Sequence, residues 1–368
     1  MPPTVSRSTS GPVHIAGAGP AGLACAIELA SRGVSCELHE RHPVIGGRFD
    51  GDHQILPAFG DKPWGEHIIA DLGIDPSTLD WVPLHGARFL DDSRGVAEGT
   101  SKQPFAWLIR RGPDEGTLDF AMAQRARDLG VRVHTGQPLA PDRANVVATG
   151  LRRVDGLAVE EMFRTSAENR VDVILDEDLA PGGYAYLFIN QGEATLGIAA
   201  LGSYKDLGRR LDVARERFEA LGEFDQQNTR SAAHGMNFCL PGTALDEGRP
   251  CVGEAAGFQD FLFGLGLRMA VVSGQLAARA LAEELDYDEL WRSALQDRMH
   301  TSLVDRWLYE RGAVRRWLMR RMATHDLQEL LNDLQRHHWS KQLLLPWVRR
   351  FRSCDCEEPV PKSKEARG

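Results

Sequence analysis

Residues 13–22 read Val-His-Ile-Ala-Gly-Ala-Gly-Pro-Ala-Gly, and the acid Glu40 follows at a distance of 18 positions from Gly22. Val13 to Ala16 is a short apolar run of strand character. Gly17, Gly19 and Gly22 complete a GxGxxG turn, and Leu23 to Ser31 continues with the apolar spacing of a helix. In such a unit the first glycine permits the tight turn. The second lets backbone approach a pyrophosphate, and the third allows close packing of helix on strand. Pro20 and Ala21 open the helix, whose unpaired N–H groups and dipole favour phosphate. A second strand, Val34 to His39, delivers Glu40, placed to accept hydrogen bonds from an adenosine ribose. Strand, glycine turn, helix and answering acid together predict dinucleotide binding. A plain βαβ unit would leave Glu40 and the third glycine unexplained.

The surrounding composition sets bounds. The chain has 368 residues, 42% hydrophobic and 26% charged, with a formal net charge of −9. That length supports one large or two smaller domains, and the charge argues against a nucleic-acid partner. No stretch is long and apolar enough to span a bilayer. Residues 1–11 lack a signal-peptide core and read as a disordered leader. The charged residues 353–368 read as a disordered tail. The six cysteines are scattered, as suits a reducing cytoplasm; no metal site is expected from them, and Cys354-Asp-Cys356 lacks a second ligand cluster.

Three further segments carry chemistry. Arg41-His-Pro-Val-Ile-Gly-Gly-Arg48 follows the acid, and Leu108-Ile-Arg-Arg-Gly112 precedes a helical stretch. Arg41, Arg48 and Arg111 are therefore candidates for the pyrophosphate or adenosine end. Arg249-Pro-Cys-Val-Gly-Glu-Ala-Ala-Gly257 is a buried strand leading into a turn of small residues. Gly253 and Glu254 sit at that turn, where a carboxylate can accept ribityl hydroxyls. Gly264, Leu265 and Gly266 open a long apolar helix whose N-terminal amides would face a site of developing negative charge. Two nucleotide-facing turns favour FAD over NAD.

In this order the motifs resemble those of two-domain flavoproteins of the hydroxybenzoate-hydroxylase fold, and within that group they look most like geranylgeranyl reductases. Val13 to Glu40, Leu108 to Gly130, Pro181-Gly-Gly-Tyr-Ala-Tyr-Leu-Phe188 and Gly253 to Gly274 carry the resemblance. It implies an α/β protein: a Rossmann-like FAD-binding domain with an inserted β-sheet substrate domain and a C-terminal helical region. The expected division assigns 12–60, 108–150 and 236–285 to the FAD domain. Residues 61–107 and 151–235 go to the substrate domain, and 286–352 form a helical cap over it.

The resemblance also implies a cytoplasmic FAD-dependent oxidoreductase acting on a small apolar substrate, isoprenoid or lipid-like, by hydride transfer at a carbon–carbon bond. NAD(P)H is the expected electron donor. A flavin monooxygenase or halogenase, or a prenyl-binding escort without catalysis, are the alternatives. Tyr184 and Tyr186, two apart on a strand, share one face, and with His234 they are the candidates for a catalytic acid. Residues 303–322 hold six arginines against two acids, and 336–352 hold five Lys or Arg and no acid, both with tryptophans. Such segments suit peripheral contact with an anionic membrane; an ordinary helical cap with snorkelling arginines is the other reading.

Overall fold

The computed structural model describes residues 11–58, 64–92, 95–202, 205–336 and 338–351. The expected leader, apart from Gly11, and the expected tail lie outside them. The nucleotide-binding layer is a parallel sheet of β1 (Val13–Ala16), β2 (Cys36–His39), β8 (Arg132–His134) and β9 (Val146–Val147), ordered β8-β2-β1-β9. A parallel bridge from Val147 to Cys251 continues it. One face is covered by α1 (Pro20–Ser31), α3 (Leu118–Asp128) and α5 (Leu267–Glu283). The crossing of α1 and α5 is so close that a Cβ on Gly274 would fall 2.2 Å from the Ala21 carbonyl oxygen.

The second layer is a seven-stranded sheet. Its strands are β5 (Gly86–Asp91), β6 (Val96–Thr100), β10 (Gly156–Arg164), β11 (Arg170–Leu175), β12 (Tyr184–Asn190), β13 (Glu193–Leu201) and β14 (Gln227–Met236). They run in the order β14-β10-β13-β12-β11-β5-β6. Side chains alternate across each strand. Leu187, Leu196 and Ile198 accordingly pack against α4 (Leu207–Glu219), whereas Tyr186, Phe188 and Val171 turn to the other side. Between the layers lies a small antiparallel sheet of β3 (His53–Pro57), β4 (Trp81–Leu84) and β7 (Ala106–Arg110).

The C-terminal helices are α6 (Tyr287–Trp291), α7 (Asp297–Tyr309), α8 (Gly312–Met322), α9 (Leu327–Gln335) and α10 (Trp339–Phe351). They do not form one cap over the substrate sheet. Trp291, Met299, Leu303 and Val348 enter the nucleotide-domain core, while Leu318, Met322 and Leu327 pack on the seven-stranded sheet. A second correction concerns 61–107. The helix α2 (Trp64–Asp71) and the loop after it bury Ile68, Ile69, Leu72 and Ile74 in the nucleotide-domain core. Only from Leu84 onward does this segment join the second layer. Burial of these apolar side chains against the first layer decides the domain to which α2 belongs.

Candidate active site

A cavity of about 520 Å³ lies between the two layers. The turn after β1 forms one end. Gly17 has φ +107°, and a Cβ there would sit 2.2 Å from the Ala148 carbonyl oxygen, so only glycine fits. Gly19 is different: a Cβ built on it meets nothing within 4 Å, because it points into the cavity. Gly19 is also the N-cap of α1 and no side chain caps that helix, so its first-turn N–H groups are available to an anion. Pro20, at N1, has no such donor to lose. Glu40 lines the same end. Its Oε2 accepts from the Ala18 N–H at 2.9 Å and its Oε1 from the His42 N–H at 2.9 Å, which fixes the carboxylate toward the glycine turn.

The second nucleotide-facing turn meets the first across the cavity wall. Gly253 (φ +60°) and Glu254 follow the strand bridged to β9, and Arg48 Nη1 lies 3.2 Å from Glu254 Oε2. Arg48 also stands 4.7 Å over the Phe49 ring. Gly264 (φ +70°), Leu265 and Gly266 line the cavity just before α5, and Gly266 leaves that helix without a side-chain cap. Arg41 lines the cavity too, exposed and bonded to the His42 ring at 3.2 Å. Arg111, expected at the pyrophosphate or adenosine end, lines the cavity as well, but its side chain is committed to other partners. Its guanidinium is buried, paired to Asp119 at 2.6 and 2.8 Å and to Gln54 Oε1 at 2.6 Å. Those partners make it a brace between β7, α3 and β3.

Beyond the glycine turns the cavity becomes apolar. Phe89, Val171, Val173 and Phe188 line it from the seven-stranded sheet, and Leu318, Met322 and Leu331 from α8 and α9. Tyr184 and Tyr186 share this face as expected, with ring centroids 5.8 Å apart. The Tyr184 hydroxyl donates to the Phe263 carbonyl at 2.6 Å. The Tyr186 hydroxyl donates to Glu160 Oε1. His234 Nε2 lies 3.3 Å from Glu160 Oε2, within ion-pair range but off the line of a hydrogen bond. Burial raises both tyrosines above their ordinary pKa, and for Tyr186 the Glu160 charge adds to it.

Glu160 and Asp52 are the residues that sequence reading missed. Burial, and then Glu160 itself, hold the Asp52 carboxyl well above the usual carboxylate range. Two buried carboxyls in mutual range favour sharing a proton over carrying two charges. The signal for Glu160 was present: in β10 it shares the buried face of Ala158 and Met162. His53 adjoins this group, and burial lowers its pKa to about 4, so the ring is neutral. Arg306 brings a buried guanidinium to the cavity; its Nη2 has no hydrogen-bond partner among the described residues.

Comparison with known proteins agrees with this layout. Residues 15–76 match the model of an NAD(P)-binding Rossmann-like domain. Digeranylgeranylglycerophospholipid reductase 2 of Methanopyrus kandleri is 26% identical, over 88% of this chain and 90% of its own. A digeranylgeranylglycerophospholipid reductase of Methanosphaerula palustris is 23% identical over 77% and 79%. Among solved structures, a geranylgeranyl bacteriochlorophyll reductase-like protein of Thermoplasma acidophilum superposes with a TM-score of 0.70 at 18% identity, covering 92% of this chain and 98% of that one. The chain is thus similar over most of its length to digeranylgeranylglycerophospholipid reductases, and it shares the fold of the geranylgeranyl bacteriochlorophyll reductase-like protein. A flavin-dependent brominase superposes less well, with a TM-score of 0.63 at 17% identity over 92% and 99%.

The site fits FAD on its own geometry. Two uncapped helix N-termini, an open Cβ direction at Gly19 and the acid Glu40 line one cavity. The six cysteines differ from the expectation in one respect: Cys25, Cys36 and Cys251 are buried free thiols, but Cys239 is disulfide-bonded.

Proposed function

We propose that this protein binds FAD and reduces a carbon–carbon double bond of an isoprenoid or similarly long apolar substrate. The observation that carries the reading is the single cavity whose polar end has two helix N-termini and Glu40, and whose other end is walled by Phe89, Phe188, Leu318 and Met322. Gly19, Glu40, Arg48, Glu254 and the Gly264–Gly266 turn would hold the cofactor. FAD, when bound, would supply the hydride. The chain's own residues supply the rest. Aromatic and aliphatic walls exclude water and align the alkene. Tyr186 keeps a proton at its hydroxyl because Glu160 accepts from it and burial opposes the phenolate. Once that proton has gone to the substrate carbon, Glu160 would relay a replacement from solvent to Tyr186, with Asp52, whose carboxyl burial holds well above its ordinary range, as its buried neighbour.

NAD(P)H is the proposed electron donor, and the buried Arg306 favours a substrate bearing an anionic group beside its apolar chain. The test is anaerobic. The purified yellow protein, reduced stoichiometrically, is mixed with a geranylgeranyl-bearing lipid, and reoxidation at the flavin bands is followed alongside product mass. Reoxidation with a gain of two hydrogens supports the reading. Reoxidation only by oxygen, with hydroxylated or halogenated product, supports the monooxygenase alternative, and a colourless protein that binds the lipid supports the escort.

A second surface bears on access to such a substrate. On α10, Trp339, Leu343 and Trp347 recur every four residues and are 68%, 71% and 52% exposed. Arg316, Arg320 and Arg349 are exposed in the same helical region. No described helix is long and apolar enough to cross a membrane. We propose that this face contacts an anionic bilayer peripherally.

A further inference from the structure

We propose that His14, Glu37 and His39 form a divalent transition-metal site, of the zinc class, on the face of the nucleotide-domain sheet opposite α1. The strand pattern creates the face. Cys36 and Leu38 point to α1, with Cys36 Sγ donating to the Ala26 carbonyl, so Glu37 and His39 point the other way. Parallel register then aligns His14 of β1 with Glu37, and His134 of β8 with His39. Residues 23 and 25 positions distant from His14 thereby come beside it, which is why no ligand spacing is visible along the chain.

The distances suit an ion. One ring nitrogen of His14 and one of His39 stand 3.2 Å apart. Two ligands each about 2.0–2.1 Å from a tetrahedral ion are themselves about 3.3 Å apart. The ligand atoms of His14, His39 and Glu37 all lie within 4.8 Å of one another, and a rotation of Glu37 closes the remaining gap. All three are half-buried. The His134 ring contacts Glu37 Oε2 at 2.9 Å and stacks on His39 at 4.7 Å, the outer support that orients metal-ligating carboxylates and imidazoles. Arg132 also pairs with Glu37, but its side chain is 64% exposed and can turn to solvent when a cation enters. Two imidazoles and a carboxylate with an open fourth position match zinc better than magnesium or calcium, which prefer all-oxygen shells. His39 also lines the cavity beside Glu40, so the site borders its glycine-turn end, while none of the three ligands reaches its apolar end.

The test uses tag-free full-length protein, freed of metal by chelator and dialysed. Calorimetric titration with ZnCl2 is expected to give one saturable equivalent in the wild type. His14→Ala, His39→Ala and Glu37→Gln are each expected to lower affinity at least tenfold, while His325→Ala leaves it unchanged. Absence of saturable binding in the wild type overturns the proposal. So does full one-equivalent binding in the His14→Ala/His39→Ala double variant. If an alanine variant does not fold, the wild-type Co2+ spectrum decides. Four-coordinate d–d bands to the red of the flavin, without a thiolate charge-transfer band, support the site. Their absence overturns it.

Discussion

Arg48 and Glu254, 206 residues apart in the chain, meet at 3.2 Å where the loop after β2 touches the turn that leads to α5. Both side chains remain about a quarter exposed, so their pairing contributes little to folding, ~0–1 kcal/mol. Its value is positional, since it joins the two turns proposed to hold the cofactor. Glu254→Gln should therefore shift the melting temperature by no more than a few degrees, yet weaken FAD retention at least severalfold. Flavin content after gel filtration, beside a thermal melt, separates the two effects. A variant that melts early but keeps its flavin would assign the pair to stability alone.

The three glycines of the first turn should respond differently to substitution. A Cβ on Gly19 meets only the cavity, whereas one on Gly22 would sit 2.0 Å from the Gly17 carbonyl oxygen. Gly19→Val should fold normally and emerge without FAD. Gly22→Val should lose roughly 1–3 kcal/mol through overpacking at the strand–helix contact. Denaturant midpoints and absorbance at the flavin bands test both. Flavin retained in folded Gly19→Val would remove the phosphate site from this turn.

The contrast between those glycines and the proton-holding group shows what could be read from the chain. Gly17, Gly19, Gly22 and Glu40 act within one βαβ unit, so local spacing exposes them. Asp52, Glu160, Tyr186 and His234 come from a loop and three strands, and they meet only through the pairing of β10 with β13 and β14 and of β12 with β13. That register is set by the packed sheet and leaves no linear spacing to find. Arg315 is an instructive case: it was counted with a basic surface, yet it is buried, 3.2 Å from Asp92 and 3.5 Å from Glu177. Its position three, four and seven residues before Leu318, Met319 and Met322 puts it on the inward face of α8, a periodicity masked by its neighbours' charges.

Asp52 makes stability depend on pH in a defined direction. Its ordinary pKa is 3.8, and burial together with Glu160 raises it in the folded chain. Between those values the folded chain binds more protons than the unfolded one, so this group's contribution falls as pH rises. Asp52→Asn removes the dependence. Its stability relative to wild type should therefore increase steadily from pH 4 toward the raised value, about 1.4 kcal/mol for each pH unit within that window at most. Urea midpoints at several pH values test this, and a constant difference between the proteins would place the Asp52 proton elsewhere.

Proton delivery makes its own prediction. Tyr186→Phe keeps the ring packed on Phe188, 5.0 Å away, and deletes only the hydroxyl that donates to Glu160. Reoxidation of reduced enzyme by substrate should slow by about 10²–10⁴-fold, the usual contribution of a positioned acid. Substrate affinity and flavin content should change little. Glu160→Gln should instead slow the recovery of Tyr186 between turnovers, because an amide cannot relay a proton as a carboxyl can. A Tyr186→Phe enzyme with wild-type turnover would shift the acid's role to another cavity group.

The exposed stripe on α10 leads to the last prediction, and the burial of Arg315 changes how it must be tested. Substituting Arg315 would break two ion pairs inside the fold, so the charge test belongs to Arg316, Arg320 and Arg321. Each cation near an anionic bilayer contributes about 1 kcal/mol, so replacing all three with Gln should weaken adsorption roughly a hundredfold at low salt. Salt should erase the difference, because the attraction extends only over a Debye length. The apolar stripe acts by burial in the headgroup region, so Trp339→Ala with Leu343→Ala should weaken binding at high and low salt alike. Co-sedimentation with phosphatidylserine-containing and with neutral vesicles distinguishes these two contributions. Should the wild type bind neither vesicle, α10 is a surface for some other partner, and an apolar substrate would have to reach the cavity without the bilayer at hand.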